Sequence, residues 1–428
     1  MEIFNLGTWL VVLVFCIGYL AIILEHSIRV NKTATALLIA VVCWSIYLVT
    51  SSVPVSDNIK SLGHHVSEVS QIIFFLMGAM TLVELVDTHR GFKIITDRIR
   101  TQSRRKMLWI VALFAFFLSA ILDNLTTTIL MVSLLRKLVP QPKERLLLSC
   151  VIVVAANAGG AWTPIGDVTT TMLWINGQLS SLAVMKSLFI PSVVSLLIPL
   201  TWYTFRIKGR LASQSLSDAE TRAMPGAKLV FCLGVGGLVF VPIFKALTGL
   251  PPFMGVILAL SVLWIATDLM HYPHQNRAHL RVPHVLTRVD TSGVLFFLGV
   301  LLCVSALQTA GILQVLADWL DSSVQSKAMI ATLIGFISAI IDNVPLVAAT
   351  MGMYPLQNYP MDSSFWHMIA YAAGTGGSML IIGSSSGVAL MGMEKIDFIA
   401  YMKKATLPVA FGYLGGMGVY VLLEPFLK

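Results

Sequence analysis

Residues 116–129 read FFLSAILDNLTTTI, and residues 335–348 read GFISAIIDNVPLVA. Both contain Phe-(Leu/Ile)-Ser-Ala-Ile-(Leu/Ile)-Asp-Asn, repeated 219 positions apart. Each copy sets a carboxylate and an amide, Asp123–Asn124 and Asp342–Asn343, inside an apolar stretch. A charge in hydrocarbon is costly, so an intramembrane Asp marks a functional position by default. Two matched copies in one chain point to an ion site built where two internal repeats meet.

The setting is a membrane. Of 428 residues, 57% are hydrophobic and 12% charged, against about 25% charged in a soluble domain. Several apolar runs reach about 20 residues, enough for a helix to cross a bilayer. A soluble enzyme or binding domain is excluded, and an all-α polytopic membrane protein is expected. Residues 1–30 lack the basic lead and short apolar core of a secretory signal, and are expected to stay as a first span. Cys16, Cys43, Cys150, Cys232 and Cys303 sit in apolar segments at unrelated spacings. They read as small buried hydrophobes, not as a disulfide framework or metal site. The net charge of +8 comes from basic residues grouped between spans, where they set topology and imply no nucleic acid.

Ten spans are expected, at about 8–24, 33–50, 69–87, 146–175, 183–203, 228–247, 251–269, 291–313, 365–391 and 405–423. The motif-bearing stretches 107–138 and 327–356 are too long for one straight span and too short for two. Re-entrant hairpins fit them, each with its Asp–Asn at the buried tip, where non-helical backbone is tolerated only against a protein cavity. Arg90, Lys93, Arg98, Arg100, Arg104, Arg105 and Lys106 precede the first hairpin, and Arg136, Lys137, Lys143 and Arg145 follow it. Further basic loops carry Arg206, Lys208, Arg210, Arg222 and Lys228, then Arg277, Arg281 and Arg288. Loops 51–68, 176–182 and 357–364 are almost free of Lys and Arg. Ten spans and two hairpins put every basic loop inside and both termini outside. The two halves then have opposite orientation: 1–210 as the first inverted repeat, 211–227 as a cytoplasmic linker, and 228–428 as the second.

The repeat extends beyond the motif. Phe74–Phe75–Leu76 recurs as Phe296–Phe297–Leu298, and AANAGGAWTPIGDVTTT (155–171) is echoed by AAGTGGSMLIIGSSSGVA (372–389). Gly pairs, a proline and polar clusters make poor continuous helix, so spans 146–175 and 365–391 are expected to break at mid-membrane. A broken helix turns carbonyls and helix ends toward the bilayer centre, where they can hold an ion. The side chains available there are Asp123, Asp167 and Asp342, the amides of Asn124, Asn157 and Asn343, and the hydroxyls of Thr126, Thr163, Thr169, Ser384, Ser385 and Ser386. These are hard oxygen ligands suited to a cation, with no Lys or Arg near the motif centres and none of the matched His, Cys or Met a transition metal would want. The halves are unequal, because Asn157 and Asp167 face Gly374 and Ser384 in the repeat. The main site, with Asp123, Asn124, Asn157 and Asp167 as Na+ ligands, is therefore expected in the first half, with Asp342 completing or gating it. Carboxylates out of water prefer their neutral form, whereas sodium favours the ionised one. Sodium and protons would then compete for one site, and alternating access would exchange them.

SAILDNLTTTI (119–129) together with NAGGAWTPIGDVTTTMLW (157–174) resembles the NhaD family of sodium/proton antiporters, over nearly the whole chain. The resemblance implies the ion transporter superfamily fold, with two inverted repeats, re-entrant hairpins and broken helices. It also implies a homodimer in a bacterial inner membrane, transport of Na+ and Li+ against H+, and no cofactor beyond the transported ions. A scaffold of the first three spans and the sixth to eighth would hold a transport domain that moves elevator-fashion. The family's functional positions fall on Asp123, Asn124, Asn157, Asp167, Thr169, Asp342 and the serines near Ser384. Sodium symporters of that superfamily carry Ser-Asn-Thr at the hairpin tip, and Asp replaces the Ser here.

Other readings predict different things. A sodium-coupled carboxylate or oxyanion carrier of the same superfamily would tolerate loss of Asp167. An intramembrane aspartyl protease needs two Asp on spanning helices facing a substrate gap, which hairpin tips do not provide. Single features also have plain structural explanations. One Asp–Asn could be an interhelical hydrogen-bond pair, the Gly pairs could be close helix packing, and Asp167 could cap a half-helix. Glu25, Glu84, Asp87 and Asp268 fall near span ends and read as interfacial. His64, His65, His89, His271, His274, His279 and His284 read as solvated loop residues. Basic segment 88–106 reads as an interfacial anchor against membrane lipid.

Overall fold

Each long apolar run of the sequence forms helix in the computed structural model, which describes residues 6–93, 101–207, 209–210, 224–273, 275–324, 326–396 and 398–426. Arg98, Arg100, Lys208, Arg222, His274 and most of the expected linker 211–227 lie outside the described residues. The first half comprises Leu6–Ile23 (α1), Lys32–Thr50 (α2), Val55–Thr88 (α3), Arg104–Leu122 (α4), Asn124–Leu138 (α5), Pro142–Gly160 (α6), Val168–Ile175 (α7) and Ser181–Arg206 (α8). The second comprises Ala227–Thr248 (α9), Pro252–His271 (α10), Thr291–Thr309 (α11), Ile312–Ser323 (α12), Lys327–Ser338 (α13), Asn343–Met353 (α14), Ser364–Gly376 (α15), Ser385–Glu394 (α16) and Leu407–Leu423 (α17). Among the described residues, 9 helices are long and apolar enough to cross a membrane. The protein is an integral membrane protein.

The helices sort into two bundles. α1, α2, α3, α9, α10 and α11 pack on one another. The motif hairpins α4–α5 and α13–α14, the interrupted pairs α6–α7 and α15–α16, and α8 and α17 form the other. The bundles meet chiefly where α14 lies on α11, α4 on α9 and α7 on α3.

The interrupted pairs owe their placement to small residues. A Cβ on Gly159 would lie 2.0 Å from the carbonyl oxygen of Phe116, and one on Gly376 would lie 2.3 Å from that of Gly335. Backbone therefore packs directly on backbone in both halves, at corresponding positions. The Ser119 hydroxyl donates to the Ala156 carbonyl (2.6 Å), and its counterpart Ser338 donates to Ala373 (3.1 Å). Gly159→Ala should force α6 off α4 at a cost of about 1–3 kcal/mol or more. At Gly236, nothing lies within 4 Å of the added Cβ. Gly236→Ala should therefore be neutral or stabilising by ~0.5–1 kcal/mol. Thermal unfolding of the two purified variants checks the contrast, and equal melting would refute the close-contact account.

Ion pairs tie the basic ends together. Arg104 on α4 pairs with Glu144 on α6. Arg136 at the end of α5 and Arg145 on α6 both reach Glu394 at the end of α16, each at 2.7 Å. Burial of Glu394 favours its neutral form, but hydrogen bonds from Arg145 and Arg136 outweigh this and hold its carboxyl below the usual range. The feet of the second hairpin are tied elsewhere. Lys327 pairs with Asp321, and the Tyr354 hydroxyl donates to Asp321 at 3.0 Å.

Several expectations need correction. The third span is the end of a helix that starts at Val55, since the polar segment through His64, His65 and Glu68 continues the same helix. The eighth span stops at Thr309, and Gly311 (φ +73°) turns the chain into α12. That helix was not expected. Its signal was a Gly followed by an amphipathic run that buries Leu313 and Ala317 and exposes Trp319. His89 and His271 are not loop residues. Both are fully buried at the ends of α3 and α10, with their Nε2 atoms 2.9 Å apart. Burial holds the His89 imidazole below its ordinary pKa. Cys16 and Cys232 lie on the outer surface rather than in the core, whereas Cys43, Cys150 and Cys303 are buried.

Candidate functional site

Asp123 is the one residue between α4 and α5, and its backbone has φ +118° and ψ 161°. That region is ordinarily reserved for glycine. Its carboxylate offsets the conformation by capping α5, taking the Thr126 backbone N–H at 2.7 Å and the Thr126 hydroxyl at 2.8 Å. The second tip is relaxed. Asp342 has φ −50°, and its Oδ1 takes the Val344 N–H at 3.2 Å. The repeated sequence thus makes one strained and one unstrained tip.

The motif amides converge while the motif carboxylates separate. Asn124 Nδ2 donates to Asp167 Oδ1 at 2.7 Å and to Asn157 Oδ1 at 3.0 Å. From the other hairpin, Asn343 Nδ2 reaches Asp167 Oδ2 at 3.5 Å. Thr169 also donates to Asp167 Oδ2. Asp167 stands at the start of α7 but makes no capping hydrogen bond, so its carboxylate serves the cluster and not the helix end. Asn157 Nδ2 donates to Ser384 Oγ (2.9 Å) and Ser378 Oγ (2.8 Å), and Ser386 donates to Asn157 Oδ1. Asn157 and Asp167 are 0% and 2% exposed, which makes their hydrogen bonds obligatory.

Of the residues expected at the site, Asn124, Asn157, Asp167, Thr169, Asn343, Ser384 and Ser386 form this network. Ser378 joins it without having been singled out, although the polar break of the second interrupted helix signalled it. Thr163 is structural, its hydroxyl donating to the Ala120 carbonyl at 2.7 Å. Asp123, Thr126 and Ser385 stand beside the network, lining a cavity of about 270 Å³ with Asn124, Asp167 and Asn343. The cavity lies between the bundles. Phe75 and Leu76 of α3 and Phe296 and Phe297 of α11 also line it, together with Glu25, Asn31, Lys32, Thr33 and Asp290. Asp342 does not line it. Its carboxylate faces a side cavity of about 80 Å³, with Lys32 Nζ 3.9 Å from Oδ2. The expectation of no Lys or Arg near the motif centres therefore fails at the second tip. Lys32 precedes Asp342 by most of the chain, and only folding brings them together.

No ion pair among the described residues joins a Lys or Arg to Asp123 or Asp167. The buried hydroxyls of Thr127 and Thr128, one turn beyond Asn124 on its face of α5, find no hydrogen-bond partner there either. The site therefore combines buried carboxylates with no ion-paired Lys or Arg among the described residues.

The sequence model described as "Citrate transporter" matches residues 19–368. The chain belongs to the citrate transporter family. Among its relatives, sodium/proton antiporter 1 of Arabidopsis thaliana is 55% identical over 96% of this chain and 72% of its own length. Sodium/proton antiporter 2 of Arabidopsis thaliana is 50% identical over 97% of this chain and 99% of its own. The Na(+)/H(+) antiporter NhaD of Alkalimonas amylolytica is 31% identical over 96% and 89%. The likeness to NhaD carried by the two motifs is borne out along the chain. The protein is a transporter of this family and not an enzyme.

Proposed function

We propose that this protein is a secondary antiporter exchanging Na+, and Li+ with it, for H+, the ions competing for the carboxylates of Asp167 and Asp123. One observation carries this reading: a buried carboxylate, Asp167, is surrounded by three neutral donors and paired with no basic residue among those described. A buried charge needs a partner, and here a sodium ion or a proton can supply it. Asn124, Asn157 and Thr169 would complete the oxygen shell, with Ser384, Ser385 and Asn343 at its edge. The Arabidopsis and Alkalimonas relatives, named as sodium/proton antiporters, support this cargo.

The cavity supplies the route. Among the described residues, Glu25, Asp290, Asp123 and Asp167 line it against one base, Lys32, and a cleft dominated by negative side chains concentrates cations. Its lining at the starts of α2 and α11 lies at the end where the basic loops gather, and by the positive-inside rule that end would be cytoplasmic. A cavity of about 310 Å³ at the opposite end, lined by His65, Glu68, Gln178 and Gln308, lies between the same bundles. Sliding the hairpin bundle against the other, as inverted repeats permit, would expose the site there. The first bundle would be the scaffold, and its lipid-facing helices the surface for a homodimer.

Competition has a numerical signature. If one proton displaces one sodium, the apparent KM for Na+ rises about tenfold per pH unit on the acid side, and about a hundredfold if two protons do. Dequenching of a pH-gradient dye in everted vesicles, with Na+, Li+, K+ and citrate added in turn, measures this. An apparent KM independent of pH would defeat the competition mechanism. The citrate transporter family and Lys32 in the cavity lining favour one second reading, a sodium-coupled carboxylate carrier, which predicts a response to citrate and none to Na+ alone.

A further inference from the structure

We propose that Lys32 is the built-in cation of the second hairpin tip: fixed to the first bundle, it occupies Asp342, so that transported ions compete only for the carboxylates of the first tip. This inference rests on the reading of Asp123 and Asp167 as the ion site. It accounts for a puzzle of the repeat, in which two identical Asp–Asn tips sit in one site that uses them differently.

The geometry around Lys32 is a built one. It opens α2, whose N-cap Asn31 accepts from the Thr33 N–H at 2.8 Å, and its own backbone N–H donates to Glu25 Oε1 at 3.1 Å. The Thr33 hydroxyl bonds the Ser292 carbonyl at 3.0 Å, which locks this turn to α11. The side chain crosses the Phe296 ring, with Nζ 4.5 Å from its centroid and 3.9 Å from Asp342 Oδ2. The Lys32 and Asp342 side chains are 28% and 16% exposed, so the pair is partly shielded. Lys32 belongs to both cavities, forming the wall between the ion cavity and the pocket around Asp342. Tyr19, Ile340 and Met391 line that pocket with apolar surface and a phenol, and Glu25, like Lys32, borders both cavities.

The pair spans the boundary between the bundles. Lys32 is held by α11, and Asp342 is the tip of α13–α14. Any relative movement of the bundles that carries the site to the opposite end must separate them. In the present arrangement the second carboxylate needs no ion, whereas Asp123 and Asp167 do. Removing the ammonium leaves Asp342 as an extra cation ligand beside the cavity and removes a positive charge from its wall.

Sodium binding to the purified full-length protein tests this, read as NaCl-dependent thermal stabilisation against matched choline chloride, so that inactive variants can still be scored. Lys32→Gln should tighten the apparent sodium affinity by about three- to tenfold, the range expected from losing a partly screened like charge. Lys32→Arg should leave it unchanged, and the gain should vanish in Lys32→Gln with Asp342→Asn. An unchanged affinity in Lys32→Gln, or the same gain in the double variant, overturns the proposal. If the unsubstituted protein shows no sodium response, the exchange reading itself falls, and the pair is judged by proximity alone. Lys32→Cys with Asp342→Cys should then be bridged by a short bis-methanethiosulfonate in membranes, and no bridge would overturn the pairing.

Discussion

Asp167→Asn should reduce sodium-dependent proton movement by about a hundredfold while leaving a folded protein. The Asp167 carboxylate gathers donors from three directions: Asn124 of one hairpin, Asn343 of the other and Thr169 of its own helix. An asparagine has the same shape and keeps one acceptor for Asn124, and the Thr169 hydroxyl can rotate to receive its new amide. What disappears is the one charge at the centre of the network. Loss of a buried charge that faces a cation costs about 3 kcal/mol, or about a hundredfold. Reconstituted Asp167→Asn protein, assayed for sodium-driven pH change beside its melting temperature, gives the result. Near-normal exchange would remove Asp167 from the site and revive the carboxylate-carrier reading.

Three substitutions at Asp123 should have separable effects. Its side chain does two things: the carboxylate caps α5, and the backbone holds φ +118°. Asp123→Asn keeps an oxygen for the Thr126 N–H and should fold, but should lose exchange by about a hundredfold with the charge. Asp123→Ala loses the cap and should destabilise by about 1–2 kcal/mol. Asp123→Gly loses the cap but relieves the backbone, which glycine accepts freely, so it should melt above Asp123→Ala and be equally inactive. Melting curves and vesicle assays on the three variants distinguish these roles. An active Asp123→Gly would show that the strained turn, and not the carboxylate, is what transport requires.

The contrast between the tips shows where sequence reasoning stopped. Asp123–Asn124 and Asp342–Asn343 share one eight-residue motif, and each copy marks a break between two helices. Apart from the local bond of Asp123 to Thr126, their separate fates depend on neighbours far away in sequence. Asn124 and Asn343 both turn to Asp167, Asp123 turns to Thr126, and Asp342 turns to Lys32. Periodicity cannot supply such partners, because a side chain's direction at a helix end depends on one or two backbone angles. The buried His89–His271 pair escaped for the same reason. Each histidine sits at a span end, where sequence alone cannot tell an exposed turn from a helix–helix contact.

By itself the sequence determined the membrane class, the all-helical fold, the helix breaks at the two Asp–Asn motifs and the two Gly-rich stretches, and the oxygen-rich residues between them. These follow from local causes: apolar run length, Gly and Pro content, and the high cost of charge in hydrocarbon. Only the tertiary structure decided that Asp167 is the hub, that Ser378 belongs to it, and that a lysine from the second helix answers the second aspartate. Those are pairings of side chains across two bundles, and long-range pairing arises only when the backbone has closed around it.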